Sequence, residues 1–315
     1  MFKRNLYLAL VFVAILLKSC GVKPVSVPSD TSNKTSIEKH SNEKIASPKY
    51  ASVERNVRIG DYFAFMDSLV ARYDTLVSYK LSEHILVRAN PWIINTLVNT
   101  DYYRMMARDS FVYDQKKMIV LKAFESLIVP DSLEASKILK DMESTWIDVN
   151  IPEFKLRIYK DSVLLYTFPV RVGQNRKRYL KMGDRVTDLR TIPGEGHIVK
   201  HVRNPDFYNP VDGKQFYLTK RDDGKTTLMP QIPWIETEIN SLRYGQMIHP
   251  TTNPKTLKKA YSNGCIGTKE SDAWVIYYHA PIGTPVTIRY DLKTRDSLGK
   301  EIVLEDVYGG KPSTD

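Results

Sequence analysis

The chain opens with Lys3 and Arg4 and then an unbroken apolar run from Leu6 to Leu17. That run falls well short of the roughly 20 residues a helix needs to cross a bilayer, so it reads as the core of an export signal. From Gly21 to about Tyr50 apolar positions thin out among Ser, Pro and Lys, leaving too little buriable surface to offset the entropy of ordering the backbone. This stretch is expected to be a tether.

A helical period then sets in. Met66, Leu69, Tyr73, Leu76 and Val77 recur at helical spacing after Asp61, the expected N-cap. Asn90-Pro91 sets a capping residue before Pro at the first helical position, ahead of Trp92, Ile93, Ile94, Leu97 and Val98. A third helix is expected through Met105 and Met106 and a fourth through Met118, Leu121 and Phe124. Pro130 ends that run, and Asp131-Ser132-Leu133-Glu134 has capping-box spacing for a fifth helix to about Met142. At Trp146 the period changes to two. Ile147 to Ile151 alternates, Phe154, Leu156 and Ile158 alternate again, and Leu165 to Val172 returns toward Gly173. Further strands are expected at Gly196 to Val202, Phe216 to Thr219, Gln246 to His249 and Thr284 to Tyr290, with a short helix at Ser271 to His279 and a strand-like stretch at Glu301 to Val307. The pattern predicts an α+β multidomain chain: a signal at 1–19, a tether at 20–50, an all-α helical module at 51–146, a mostly β sandwich or open barrel at 147–291, and a C-terminal strand-like extension with a polar tail at 292–315.

With 42% apolar residues in 315 the chain can bury a core, which excludes wholesale disorder. Its 46 Lys and Arg against 36 Asp and Glu give +10, favouring anionic partners: nucleic acid, anionic lipid or a carboxylate-rich polymer. An export signal and the absence of a binding motif argue against nucleic acid. Two cysteines, Cys20 and Cys265, are too few for a disulfide scaffold or a Cys-only zinc site. The histidines are scattered, and His197 and His201 lie four apart in a strand, too far for a compact metal pair; neither metal nor cofactor is expected. Leu17-Lys18-Ser19-Cys20-Gly21 resembles a bacterial lipoprotein signal, which implies acylation of Cys20 and attachment to a membrane facing the periplasm or cell envelope.

The candidate chemistry lies in Ile248-His249-Pro250 and, sixteen residues after the His, Ser262-Asn263-Gly264-Cys265-Ile266-Gly267. A glycine before Cys265 permits a tight turn that can present the thiol while neighbouring amides converge on one spot, as in an oxyanion hole. A thiol becomes a useful nucleophile when an imidazole takes its proton. Taken alone each residue has an ordinary explanation, a buried inert thiol and a hydrogen-bonded core histidine.

The pair at this spacing resembles the signature of the L,D-transpeptidases, the YkuD-type peptidoglycan enzymes, in which a His precedes a Ser-His-Gly-Cys core continuing with Ile or Val and commonly Arg. The likeness extends to Val149-Asn150-Ile151-Pro152-Glu153-Phe154, to Val170-Arg171-Val172-Gly173 and to Asn204-Pro205, covering residues 146 to about 290. Three positions depart from the pattern. Asn263 stands for the second His, Gly267 for the usual Arg, which removes a cation beside the nucleophile, and Pro250 for a small residue whose carbonyl orients the imidazole; proline keeps that carbonyl.

The resemblance implies that His249 deprotonates Cys265, that the thiolate attacks the diaminopimelate carbonyl of a tetrapeptide stem, and that D-alanine leaves a thioester which an amine of a second stem resolves into a 3,3 cross-link. Gly264 and Cys265 amides, with Asn263, would hold the oxyanion and Ser262 the loop. Arg171, Arg243 and Tyr244 are the expected substrate-binding residues, beside a segment from 171 to 203 holding nine Lys or Arg against three acidic residues. A His-paired thiol is expected to ionise well below about 8.5. Water in place of the amine would make the protein an L,D-carboxypeptidase, and a degenerate core would leave a wall-binding lipoprotein.

Overall fold

The structure is a computed structural model that describes residues 49–243, 245–296, 298–310 and 313–314. The expected signal, Cys20 and nearly all of the tether lie outside the described residues, as does Tyr244. The described residues all belong to one compact unit.

Its centre is an eight-stranded mixed sheet built from β1 (Thr145–Asn150), β2 (Lys155–Lys160), β3 (Val163–Pro169), β4 (Gly194–Val202), β5 (Trp234–Ile239), β6 (Met247–Pro250), β7 (Ile266–Thr268) and β8 (Pro285–Arg289). Their order in the sheet is β7-β6-β5-β4-β8-β1-β2-β3. The β1-β8 and β6-β7 pairs are parallel and the others antiparallel. The two edges curl toward each other. Directly after β3, Arg171 forms a backbone bridge to Gly267 in β7, with N–H···O distances of 2.9 and 3.0 Å, which closes the sheet into a near-barrel. Beside this seam Val172–Gly173 pairs in parallel with Ala260–Ser262.

Alternation places Ile147, Val149, Leu156 and Ile158 in the core. On the other face of β1 the buried Asp148 carboxylate is gripped from the flanking strands by Arg289 (2.5 and 3.0 Å) and Arg157 (3.3 Å), so the buried charge is paired, as it must be in a poorly solvated position. The strand β5 was not anticipated, although Ile235, Thr237 and Ile239 are buried and alternate with Glu236 and Glu238. Its preceding prolines masked the period.

The N-terminal part contains α1 (Ile59–Asp74), α2 (Glu83–Arg88), α3 (Trp92–Val98), α4 (Tyr102–Met106) and α5 (Ser132–Glu143). Asp131 caps α5, its carboxylate accepting from the Glu134 amide at 2.8 Å. Three local expectations are corrected. Asp61 sits inside the first turn of α1 rather than capping it. Asn90 is buried and its amide group bonds Leu86 and both backbone groups of Ile128, tying two elements together instead of capping α3. The helix expected through Met118 to Phe124 is replaced by strands Ile119–Leu121 and Ser126–Val129. Phe124 has φ +70° and is 90% exposed, so the chain turns there, and Leu127 and Val129 point inward with period two.

The helix α6 (Glu270–His279) joins the helical and β parts. It is buried on nearly every side, as an interior helix must be when its apolar positions surround the axis. Trp274, Tyr277 and Tyr278 pack on Tyr62 and Phe63 of α1 and on the sheet. The Tyr278 hydroxyl donates to Glu83 at 2.7 Å and lies 2.6 Å from the Tyr62 hydroxyl. At the other end of α6, the fully buried Arg221 pairs with Glu270 and stacks over Tyr102, while Glu270 also accepts from the Tyr102 amide and the Gln115 side chain. No helix among the described residues is long and apolar enough to cross a membrane.

Four of the six histidines are partly or fully buried, each within reach of an arginine charge: Arg88 and Arg203 act on His84, Arg203 on His201, Arg171 on His249 and Arg88 on His279. Burial lowers His84 to about 3 and His201, His249 and His279 to about 4. Each takes up its proton more readily unfolded, at about 6.5, so the stability they secure is complete above that pH and declines as the pH falls toward 4. Denaturant unfolding at pH 7.5 and 4.5 is therefore expected to show a loss on the order of several kcal/mol at the lower pH; equal midpoints would contradict this packing.

Candidate active site

The parallel ladder of β6 and β7 pairs Ile248 with Ile266, His249 with Gly267 and Pro250 with Thr268. Cys265 immediately precedes β7, two residues before Gly267, the residue that pairs with His249. A spacing of sixteen residues along the chain thus becomes a single step across the sheet.

The turn that carries Cys265 is held from three directions. Gly264 has φ +107°, a conformation that L side chains rarely adopt. The Ser262 hydroxyl donates to the Cys265 carbonyl at 2.5 Å. Thr191, fully buried, donates to the Gly264 carbonyl at 2.9 Å and accepts from the Gly173 amide at 2.8 Å, so one hydroxyl links the turn to the seam. Gly173 has to be glycine because a Cβ there would stand 2.0 Å from the Leu189 carbonyl oxygen. Tyr308 completes the brace, its hydroxyl donating to the Gly173 carbonyl at 2.8 Å and accepting from the Thr191 amide at 3.0 Å. Asn263 is exposed and accepts from the Gln174 side chain at 3.3 Å.

The imidazole of His249 lies on Trp234, with ring centroids 4.7 Å apart. Its Nδ1 donates to the Pro250 carbonyl at 2.9 Å, which fixes the tautomer and leaves Nε2 as the acceptor. Desolvation, reinforced by the Arg171 charge, holds the ring neutral at ordinary pH. The Cys265 thiol is partly exposed and donates to the Gly245 carbonyl at 3.7 Å, and the Met247 amide donates to the sulfur.

The thiol differs from expectation. Desolvation raises it above the ordinary cysteine value, while the Met247 amide and Arg171 pull the other way. Among the described residues its hydrogen-bond partners are backbone groups of β6 and the loop before it, not the imidazole. The resting pair is therefore a neutral thiol and a neutral imidazole, and a proton would move as bonding begins rather than before it.

Of the other expected residues, Arg243 is exposed and pairs with Glu238 at 3.3 Å. Arg171 lies across Gly267, with Nη1 donating to the Thr256 hydroxyl at 3.1 Å and Nε buried. Thr191, Trp234 and Tyr308 were not foreseen as parts of this site. Only Trp234 carried a sequence signal, since it opens an alternating run. Among the described residues no cluster of His, Cys, Asp and Glu is arranged to hold a metal.

Comparison with known proteins bears on this constellation. Residues 144–288 match the family model of the YkuD L,D-transpeptidase catalytic domain. The matched region is the part built around the near-barrel, and it contains the Cys265 turn, His249 and the seam. No curated protein matches the chain at a significant level. Among solved structures, an L,D-transpeptidase from Mycobacterium smegmatis is similar at 12% identity and TM-score 0.32, over 46% of this chain and 58% of that one. L,D-transpeptidase 1 from Mycobacterium tuberculosis is similar at 14% identity and TM-score 0.30, over 46% and 61%. The catalytic domain of the E. faecium L,D-transpeptidase is similar at 18% identity and TM-score 0.30, over 47% and 98%. The match thus spans under two thirds of the first two of these chains.

Replacing Thr191 by Val keeps the shape and removes the hydroxyl that serves both Gly264 and Gly173. Leaving those buried groups unpaired is expected to cost about 2 kcal/mol or more, read as a lower denaturation midpoint, and to slow alkylation of Cys265 by iodoacetamide. Thr191→Ser should retain both properties.

Proposed function

We propose that this protein is a peptidoglycan L,D-transpeptidase that forms 3,3 cross-links, with Cys265 as nucleophile and His249 as general base. The reading rests above all on the register of His249 against Gly267 within a domain that matches the YkuD family. The neutral imidazole, whose Nδ1 bond to Pro250 leaves Nε2 as the acceptor, supports it further.

In this mechanism the sulfur of Cys265 attacks the carbonyl carbon of diaminopimelate at position three of a tetrapeptide stem as its proton passes to His249 Nε2. The amides of Gly264 and Cys265, with Asn263, face the tetrahedral oxyanion, and each such donor contributes roughly 3 kcal/mol. Collapse breaks the C–N bond to D-alanine, whose nitrogen takes the proton from His249, and a thioester remains. The amine of a second stem then attacks the thioester carbonyl, gives its proton to His249, and expels the sulfur, which recovers that proton. Basic residues between 171 and 203, with Arg243, attract the free carboxylates of the stems, and Tyr244 lines the groove that receives them.

The same reading assigns residues 1–19 to a cleaved signal, acylation to Cys20, and residues 20–50 to a tether that keeps the domain at an envelope membrane facing the peptidoglycan. Detergent-phase partitioning that survives Cys20→Ala would count against the anchor.

Incubation with a disaccharide tetrapeptide, followed by mass spectrometry, tests the activity. A dimer lacking one D-alanine is the expected product. A tripeptide would instead mark a carboxypeptidase, and unchanged substrate a degenerate site. Cys265→Ala should abolish turnover, and His249→Asn should lower it roughly 10²–10⁴-fold; turnover persisting in Cys265→Ala would reject the nucleophile.

A further inference from the structure

Position 267, two residues beyond Cys265, is glycine, and the space its side chain would fill is occupied. A Cβ at Gly267 would lie 2.5 Å from Arg171 Nε and 2.7 Å from its Cγ, so the Arg171 side chain runs directly over the glycine. The two residues are also joined through their backbones, at 2.9 and 3.0 Å. Arg171 therefore enters from the opposite edge of the sheet, at the closure of the near-barrel, and arrives beside the strand that follows the nucleophile.

The guanidinium there is short of partners. Nη1 donates to Thr256, itself bonded to the Asn253 carbonyl at 2.7 Å. Nε is buried with no hydrogen-bond partner, and among the described residues no carboxylate forms an ion pair with Arg171. A partly buried guanidinium with no carboxylate partner among the described residues favours any anion that forms within reach. Its charge acts on two titratable neighbours, easing ionisation of the Cys265 thiol and opposing protonation of His249. The phenol of Tyr261, from the strand packed beside the seam, is the other titratable group that feels it.

We propose that Arg171 is the cation of the nucleophile's environment, supplied across the barrel seam in place of a side chain at 267, and that Gly267 is glycine to admit it. Arg171 acts through the sulfur, as a positioning residue that favours the thiolate over the thiol. It also disfavours the imidazolium, so a proton accepted by His249 passes on readily to the leaving amine. This deepens the reading of Cys265 as the nucleophile and rests on it.

The pH dependence of Cys265 alkylation by iodoacetamide, read by mass spectrometry on the full chain, tests the assignment separately from peptide turnover. Arg171→Met leaves the seam's backbone bonds intact and should raise the apparent thiol pKa, slowing alkylation about tenfold at a fixed pH below it. Arg171→Lys should recover part of the rate. The relocation variant Arg171→Ala with Gly267→Arg should recover most of it, and the Arg171→Met effect should persist in a His249→Asn background. An unchanged profile in Arg171→Met, or a relocation variant no faster than Arg171→Met, overturns the proposal. Loss of tetrapeptide turnover with an intact alkylation response would instead refute the transpeptidase reading and leave this one standing.

Discussion

The molecule depends on how its central sheet closes. The backbone bridge between Arg171 and Gly267 joins the strand edge after β3 to β7, and the parallel pairing of Val172–Gly173 with Ala260–Ser262 lies just beside it. The segment between Ser262 and Ile266 is thereby anchored at both ends by the seam. A turn fixed in this way can hold Gly264 at positive φ without fraying, and it presents Cys265 at a set height relative to His249. Glycines at 173 and 267 are demanded by the same closure, one by the Leu189 carbonyl and the other by the Arg171 side chain.

The electrostatics of the pair follow from that geometry. Burial makes both charged forms costly, so a thiolate–imidazolium pair is not the resting state. The Pro250 carbonyl sets the tautomer without adding charge, and Trp234 shields the ring from water. What remains is a neutral thiol and a neutral imidazole on adjoining segments, both subject to the charge of Arg171. A thiol held neutral in this way is a poor nucleophile at rest, which limits its adventitious oxidation and alkylation.

The helical part supports the histidine side of this site. Tyr103 of α4 donates to the Thr252 carbonyl at 3.0 Å and accepts from the Asp222 amide at 2.9 Å, so it touches the segment just past Pro250. Arg221 and Glu270, fully buried, link the Leu218–Lys220 and Thr226–Leu228 hairpin to α6 and to Gln115. A buried pair of this kind fixes relative position more than it adds stability, since burying each charge offsets much of the attraction.

Local chemistry made several features readable in advance: the capping of α5 by Asp131, the period change at Trp146, and the glycine turn before Cys265 each depend on neighbours within a few residues. The likeness at His249, Ser262, Gly264 and Cys265 likewise needed only order and spacing along the chain. Errors arose where a distant partner overrode a local preference. Asn90 would cap a helix in isolation, yet it bonds Ile128 across the fold; Met118, Leu121 and Phe124 fit a helical period, yet pairing with Val57–Arg58 and Lys49–Ser52 draws that region into strands. The sequence by itself determined the β character of the second half of the chain, most of the strands of its central sheet apart from β5, and the choice of Cys265 and His249 as candidate nucleophile and base. Only the tertiary structure decided that Thr191 and Tyr308 brace the turn, that the thiol is raised rather than lowered, and that Arg171 takes the place left at Gly267, because solvation and charge at a site depend on atoms from strands far apart in the chain that meet only when the sheet closes.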